Sequence, residues 1–347
     1  MRIALLTEDA VLFALRPAWE ALWRRAPAAT PFQSPAWMLS WWRCFGTGRP
    51  VVAVALSQSQ TGLPPGEGQG EGPSNLAGLL ACYLLDEPEG RKLLPMGAGI
   101  TDYQDAVLAP DAPPETAERL LATVLETARQ AGAASCDFTD LPPRSALRAA
   151  CAPPSWRDES QPADPCPVLT LPAKSGRLGD IVPAGKLRDV RQSLHRAERI
   201  GGSSMEIATT ETGPMLLGSL VGMHETRWRA SGQSGVLCDP RVVAFHRLAV
   251  PALLASGALR LQILRLGNRV AGAYYALIAG DRVLFYLSAY DPVFARESPG
   301  TILLAHMIED ALREGRRELH FLRGGEAYKS AWGATDRFNV ARRLTPP

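Results

Sequence analysis

The stretch YDPVFARESPGTILLAHMIEDALREG, beginning at Tyr290, sets Arg296, Ser298, Pro299, Gly300 and Thr301 at the mouth of an amphipathic helix. The first turn of a helix leaves backbone N–H groups without intrahelical partners and carries the positive end of the dipole. Glycine lets a ligand approach that backbone closely, and Arg296 adds a formal charge beside it. Those are the needs of a phosphate or pyrophosphate. The same residues also suit a plain helix start, with Ser as N-cap and Pro at N1. In MHETRW, His224 and Arg227 stand a helical turn apart and share a face; a half-buried structural histidine fits that spacing too. In GITDYQD, Asp102 and Tyr103 are candidates for binding sugar hydroxyls or an amine, with Asp105 close by, and an Asx-type turn accounts for them equally. Trp37, Trp41 and Trp42 form a helical aromatic stripe of the kind that fills a core.

At 347 residues the chain is long for one domain and divides near the Pro-, Asp- and Ser-rich CAPPSWRDESQPADPCPVLTLP, into 1–165 and 166–347. The first part reads as a strand (2–7), helices at 10–25 and 35–45, strands at 51–56, 76–85 and 92–96, then a helix (115–130) and a strand (135–140). The second reads as helices at 214–229 and 240–255, three strands through LRLQILRL, RVAGAYYALIA and RVLFYLSAY, the helix at Gly300 and the strand ELHFLRG. The order repeats, which points to a duplicated α/β unit. Setting Leu120 on Leu303 also aligns Glu126 with Glu309, Gly132 with Gly315 and Phe138 with Phe321. Where the second copy has Ser298–Thr301, the first has Glu115-Thr116-Ala117-Glu118, whose carboxylates complement the dipole themselves and repel a phosphate. GKLRDVRQSLHRAERIGG is a basic helix, read either as a solvated face or as a cationic wall for an anionic substrate. SQSQTGLPPGEGQGEGPSNL is a polar low-complexity loop between two strands.

A net charge of +2 gives no reason to expect a DNA footprint. The apolar runs are too short and interrupted to span a bilayer, and Glu8 and Asp9 fall inside what would be the apolar part of a signal peptide. The six cysteines form no CxxC pair and the five histidines no HxH or HExxH spacing, so reduced thiols, a cytoplasmic location and no metal site are expected.

The order helix, helix, antiparallel strands, ligand loop, helix, strand resembles the GNAT acyltransferase fold. PFQSPAWMLSWWRCF, GAGITDYQDAVL, KLRDVRQSLHRAERIG, MHETRWRASGQSGVLCDPRVVAFHR, the Tyr290 stretch and FLRGGEAYKSAWG together resemble the tandem-GNAT, CelD-type acetyltransferases of cellulose and exopolysaccharide biosynthesis. Those proteins are relatives of the Fem aminoacyl ligases. The resemblance implies an α/β (α+β) chain of two tandem GNAT-like domains, each a mixed, mostly antiparallel sheet flanked by helices. The first would be degenerate and the second would bind acyl-CoA. It implies acetyl-CoA or another acyl-CoA as co-substrate and a small-molecule or glycan acceptor, either an amino sugar or a polysaccharide or cell-envelope precursor. Aminoacyl-tRNA would be the donor under a Fem-like alternative, and a third reading is a noncatalytic partner in polysaccharide synthesis. Against the usual Q/R-x-x-G-x-G/A loop, Arg296 fits the first position, Gly300 serves as a glycine, and Ile302 replaces the second one.

Acyl transfer from a thioester to an amine needs alignment, a hydrogen bond to the carbonyl oxygen, a proton for the thiolate and a route for the amine's proton. The resemblance makes Leu287, Ser288 and Ala289 the strand end whose backbone meets the thioester arm. Tyr328 is the expected acid for the thiolate and Glu326 a base. Lys329 matches the lysine of the Fem-type FK-x-G-F pattern, at the acceptor or oxyanion. Asp102, Tyr103 and Lys329 are expected to meet an acceptor between the halves.

Overall fold

A computed structural model describes residues 1–57, 76–172, 176–230 and 235–347. The polar low-complexity loop of the sequence reading lies almost wholly outside them. Contacts divide the chain into two units, Met1–Asp164 with Phe338–Pro347, and Pro165–Arg337. The C-terminal strand, assigned with the second half on sequence, thus belongs to the first unit.

In the first unit β1 (Arg2–Leu6) precedes α1 (Asp9–Ala14) and α2 (Arg16–Arg25). The single helix expected here is broken at Leu15, just ahead of Pro17 at the start of α2. α3 (Pro35–Phe45) begins as its sequence suggests, with Pro at N1 and the Ser34 hydroxyl accepting the Trp37 N–H. The strands β2 (Arg49–Leu56), β3 (Leu76–Glu87), β4 (Gly90–Pro95) and the short β5 (Val107–Leu108) lead into α4 (Thr116–Gln130) and β6 (Ser135–Leu141). After α5 (Ala146–Ala149) comes β7 (Arg157–Pro165). With the last strand, β14 (Phe338–Thr345), the sheet order is β1-β2-β3-β4-β6-β14-β7, and β5 adds to β3.

One face of this sheet is apolar. Leu80, Cys82, Leu84, Leu93, Cys136 and Phe138 pack there against Leu120, Leu121, Val124 and Leu125 of α4. On the opposite face Trp41 and Trp42 of α3 pack on Tyr83 of β3. Trp37 and both of these tryptophans are buried, as an aromatic core stripe should be.

The second unit opens with β8 (Val168–Thr170), α6 (Ala184–Glu198) and β9 (Ser203–Ile207). Helices α7 (Gly213–Ala230) and α8 (Pro240–Ala255) follow, then the antiparallel strands β10 (Leu259–Leu266), β11 (Arg269–Ala279) and β12 (Arg282–Tyr290). A 3-10 turn (Pro292–Glu297) leads into α9 (Pro299–Arg313), β13 (Glu318–His320) and α10 (Ala327–Ala331). The sheet order is β8-β13-β12-β11-β10-β9.

The two sheets repeat one topology. Four antiparallel strands lead to a parallel fifth (β4 with β6, β12 with β13), reached through α4 or α9, and an antiparallel sixth follows in each, with β7 beyond it in the first. The offset that sets Leu120 on Leu303 also sets the ends of α4, Thr116 and Gln130, on the ends of α9, Pro299 and Arg313. Each sixth strand comes from outside the run of the other five: β8 precedes them at the start of its own unit, and β14 follows the whole of the other unit.

Arg342 fastens β14 into the first unit. Its guanidinium is almost wholly buried and donates to both carboxylate oxygens of Asp158, at 3.0 and 2.6 Å, and to the carbonyls of Leu147 and Ala150. Removing the guanidinium leaves the buried Leu147 and Ala150 carbonyls unpaired, at a cost of about 1–3 kcal/mol each. Arg342→Met should therefore lower the urea midpoint by that equivalent, read by fluorescence. An unchanged midpoint would show that β14 is held by its ladder alone.

Candidate active site at the mouth of helix α9

β12 and β13 pair only over Arg282–Leu284 and Glu318–His320, after which β13 ends and β12 runs on to Tyr290. On its other edge β12 stays paired with β11, where Leu287, Ser288 and Ala289 face Tyr275, Tyr274 and Ala273. A register shift between Tyr275 and Ala276 marks a bulge at the point of parting. The strand end expected to meet the thioester arm therefore lies along a gap in the sheet.

Helix α9 begins beside this gap. Gly272 of β11 permits the approach: a Cβ there would stand 2.8 Å from Leu303 Cδ1, 3.2 Å from the Ala289 carbonyl and 3.4 Å from Pro299 Cβ. Ser298 adopts a left-handed conformation (φ 53°, ψ 60°), and its side chain makes no cap hydrogen bond. That departs from the plain Ser N-cap. The Ser298 carbonyl takes the Thr301 N–H at 2.9 Å and the Ile302 N–H at 3.4 Å, while Pro299 has none to give. Gly300 is then the first-turn N–H aimed outward, and a Cβ on it would meet no atom within 4 Å. Ile302 is fully buried in the core under α9. Its departure from glycine thus falls on a position that faces inward, and the ligand-facing position keeps its glycine.

Charge gathers at the same end. The Arg296 side chain is exposed, and its carbonyl accepts from Arg196 of α6 at 2.8 Å. Arg269 lies 4.9 Å from the centre of the Phe294 ring. Arg296, the free face of Gly300 and the hydroxyls of Ser298 and Thr301 fit a phosphate or pyrophosphate. The start of α4 in the first unit differs: Thr116 is buried with its hydroxyl bonded to the Pro113 carbonyl, and Glu118 accepts from the Cys151 N–H.

The remaining residues of the second unit sort into two groups. Arg227 of α7 stacks over the Tyr290 ring at 5.1 Å, and its charge also bears on Tyr328. Tyr328 is half-exposed and meets the edge of Phe321 at 6.2 Å. Desolvation first, then the Glu326 carboxylate, pushes its hydroxyl up to about 12, with Arg227 opposing. The phenol therefore holds its proton more tightly than the ordinary tyrosine expected from sequence. His224 is 5% exposed, with Trp228 at 5.8 Å and no hydrogen-bond partner at Nδ1. Burial, and then Arg227, lowers its pKa and keeps the ring neutral.

Lys329 is the largest difference from expectation. It is 2% exposed, and its ammonium donates to the carbonyls of Arg323 at 2.7 Å and Gly324 at 3.0 Å and pairs with Glu326 at 2.8 Å. These partners clamp the loop after β13, where Leu322 and Gly324 take positive φ. The lysine is a positioning residue here, and Glu326 is its counter-ion.

Asp102 and Tyr103 lie inside the first unit rather than on its surface, at 8% and 4% exposure. Their carbonyls accept from Asn339 and Gln33, and Tyr103 packs edge-on against Phe32. Asp105 caps α5 from a distance, accepting from the Ser145 hydroxyl and the Ala146 and Leu147 N–H groups. Tyr290 and Gly272 escaped the sequence reading, whereas Arg196 lies in the basic helix read there either as a solvated face or as a cationic wall. Of the two that escaped, only Gly272 carried a signal, as a lone glycine within an apolar strand. Among the described residues no group of His, Cys, Asp and Glu could hold a metal ion, and no helix is long and apolar enough to cross a membrane.

Residues 184–330 match the acetyltransferase (GNAT) domain family. No curated protein matches the chain. Among solved structures, FemX is similar over 100% of this chain and 98% of its own, with 10% identity and a TM-score of 0.65. The C-terminal DUF2156 domain of a protein described as a lysylphosphatidylglycerol synthetase from Agrobacterium fabrum is similar over 96% of this chain and 92% of its own, with 14% identity and a TM-score of 0.57. L-PGS from Bacillus licheniformis is similar over 77% and 80%, with 10% identity and a TM-score of 0.52.

Replacing Lys329 by Met should remove the donor to the half-buried Arg323 and Gly324 carbonyls and cost about 1–3 kcal/mol of stability by urea unfolding. A variant as stable as the parent would contradict the clamp. The chain is thus an α/β protein of two tandem GNAT-like units, and the second unit carries the match to the acetyltransferase domain.

Proposed function

We propose that the chain is an acyl-CoA-dependent N-acyltransferase whose donor site lies at the mouth of α9, acting on an amino sugar or on a polysaccharide or cell-envelope precursor. The open first turn at Gly300, set beside the parted end of β12, is the observation that carries this reading. The match to the acetyltransferase domain supports it.

In this reading Gly300, Ser298, Thr301 and Arg296 hold the phosphates. Backbone groups of Leu287, Ser288 and Ala289 align the arm that carries the acyl group. The amine attacks the thioester carbonyl, a C–N bond forms, the C–S bond breaks, and the thiolate takes a proton from Tyr328. The ammonium proton leaves to Glu326 or to water. With its hydroxyl raised to about 12, Tyr328 is protonated throughout the working range but a weaker donor than a free phenol. Arg227, by favouring the phenolate, limits that rise. The acceptor is a small molecule or glycan, and no DNA is involved.

A second reading, aminoacyl transfer from aminoacyl-tRNA, draws on the fold shared with FemX and the two synthetase structures. It also draws on α6, where Arg188, Arg191 and Arg199 lie on one exposed face.

Calorimetric titration with acetyl-CoA should give one site per chain, and Gly300→Glu should abolish it by placing a carboxylate where the phosphate sits. Two sites per chain, or normal binding by the variant, would overturn the donor assignment. Tyr328→Phe should lower turnover with a responsive amine at least about tenfold while leaving acetyl-CoA affinity unchanged. Parent-like turnover would make the tyrosine packing alone.

A further inference from the structure

The face of the first sheet opposite α4 is covered only in part. Its apolar side takes Leu93 of β4, Cys136 and Phe138 of β6 and Leu344 of β14. The alternate residues must point the other way. Lys92 and Leu94 from β4, with Asp137 and Thr139 from β6, do so, and they line a cleft of about 570 Å³. β7 and β14 complete it with Glu159 and Gln161, and with Ala341 and Arg343. Four strands therefore contribute their i and i+2 positions to one hollow, which has the size of a ligand site.

The chemistry of the lining narrows the ligand. Lys92 and Arg343 supply two positive charges, and Glu87, Asp137 and Glu159 three negative ones, while Arg342 turns its guanidinium to the other face, onto the Leu147 and Ala150 carbonyls. Each is already matched within the unit. Lys92 pairs with Glu87, Arg343 with its cross-strand partner Asp137 at 2.7 Å, Arg342 with Asp158, and Glu159 with Arg157 at 2.6 Å. A phosphate polymer or nucleotide would find no surplus positive charge here, and Phe138, the aromatic residue of the lining, has its ring buried in the core on the other face, where no base could stack on it. Carboxylates, a guanidinium group, a hydroxyl and an amide spread over a shallow polar floor offer donors and acceptors in both senses. That is the requirement of a neutral polyhydroxylated ligand.

We propose that this cleft binds an uncharged oligosaccharide of about two to four sugar units, with Gln161, Thr139 and the Asp137–Arg343 pair hydrogen-bonding its hydroxyls. This glycan site is separate from the donor site at α9 and does not rest on the acyl-transfer reading. Its test contains no acyl-CoA, so the two stand or fall apart.

The full-length chain, labelled with 15N, would be titrated with cellotriose, maltotriose and triacetylchitotriose, with trigalacturonate and ADP as charged controls. At least one neutral trisaccharide should shift the amides of Thr139, Gln161 and Ala341 saturably. Gln161→Leu, at an exposed position, should weaken that binding about threefold to tenfold without changing the unfolding midpoint. Absence of saturable shifts with every neutral sugar would overturn the proposal. So would tighter binding of trigalacturonate or ADP at these amides, or concentration-dependent shifts there without any sugar, which would assign the face to a second copy of the chain.

Discussion

The candidate donor site depends on one constraint: β12 and β13 must part after three paired residues while α9 still starts against the free length of β12. A sheet that stayed closed would bury the backbone of Leu287–Ala289 in a ladder. A helix seated farther away would leave its first turn over water. The bulge opposite Tyr275 turns the strand, and Gly272 removes a side chain that would hold Pro299 and Leu303 off the sheet. From there the left-handed Ser298 aims the chain so that Gly300 faces outward and Ile302 inward. Lys329 serves the facing wall. Its ammonium gathers the Arg323 and Gly324 carbonyls, and so fixes the turn from which Tyr328 projects.

The two units show how one topology is kept or closed as a binding device. Both carry a helix between the fourth and fifth strands. At α9 the first turn is a proline, an uncovered glycine and a serine that does not cap. At α4 the threonine is buried and bonded to Pro113, and Glu118 supplies the negative charge that a ligand would otherwise bring. The same scaffold with opposite end chemistry predicts opposite affinity for phosphate.

Much of this was legible in the residues. Helices whose ends are written in local chemistry, such as α3 and α8 with Pro at N1 and a Ser or Asp cap, came out at their observed bounds. The duplication showed because matching core positions recur along two helices of equal length. Strands without alternation were missed. β7 reads RDESQPADP, almost wholly exposed, so nothing apolar marks it and its prolines suggest a linker. β14 was invisible as part of the first unit because a strand's partner in a sheet is a long-range fact. Site residues divided in the same way. The α9 mouth follows from its own five residues, whereas the burial of Lys329 and of Asp102 and Tyr103 depends on elements distant in sequence. A lysine in a motif reads alike whether its ammonium meets a substrate or three groups of its own chain.

The central claim is that phosphate-bearing donor binds the first turn of α9 and not that of α4. Hydrogen–deuterium exchange of the full chain, with and without saturating acetyl-CoA, tests it most directly because both helix starts report in one experiment. The account predicts slowed exchange over residues 286–303 and in the 322–329 turn, with residues 113–121 unchanged. Protection at 113–121, or none at 298–303 under conditions where calorimetry shows binding, would contradict it.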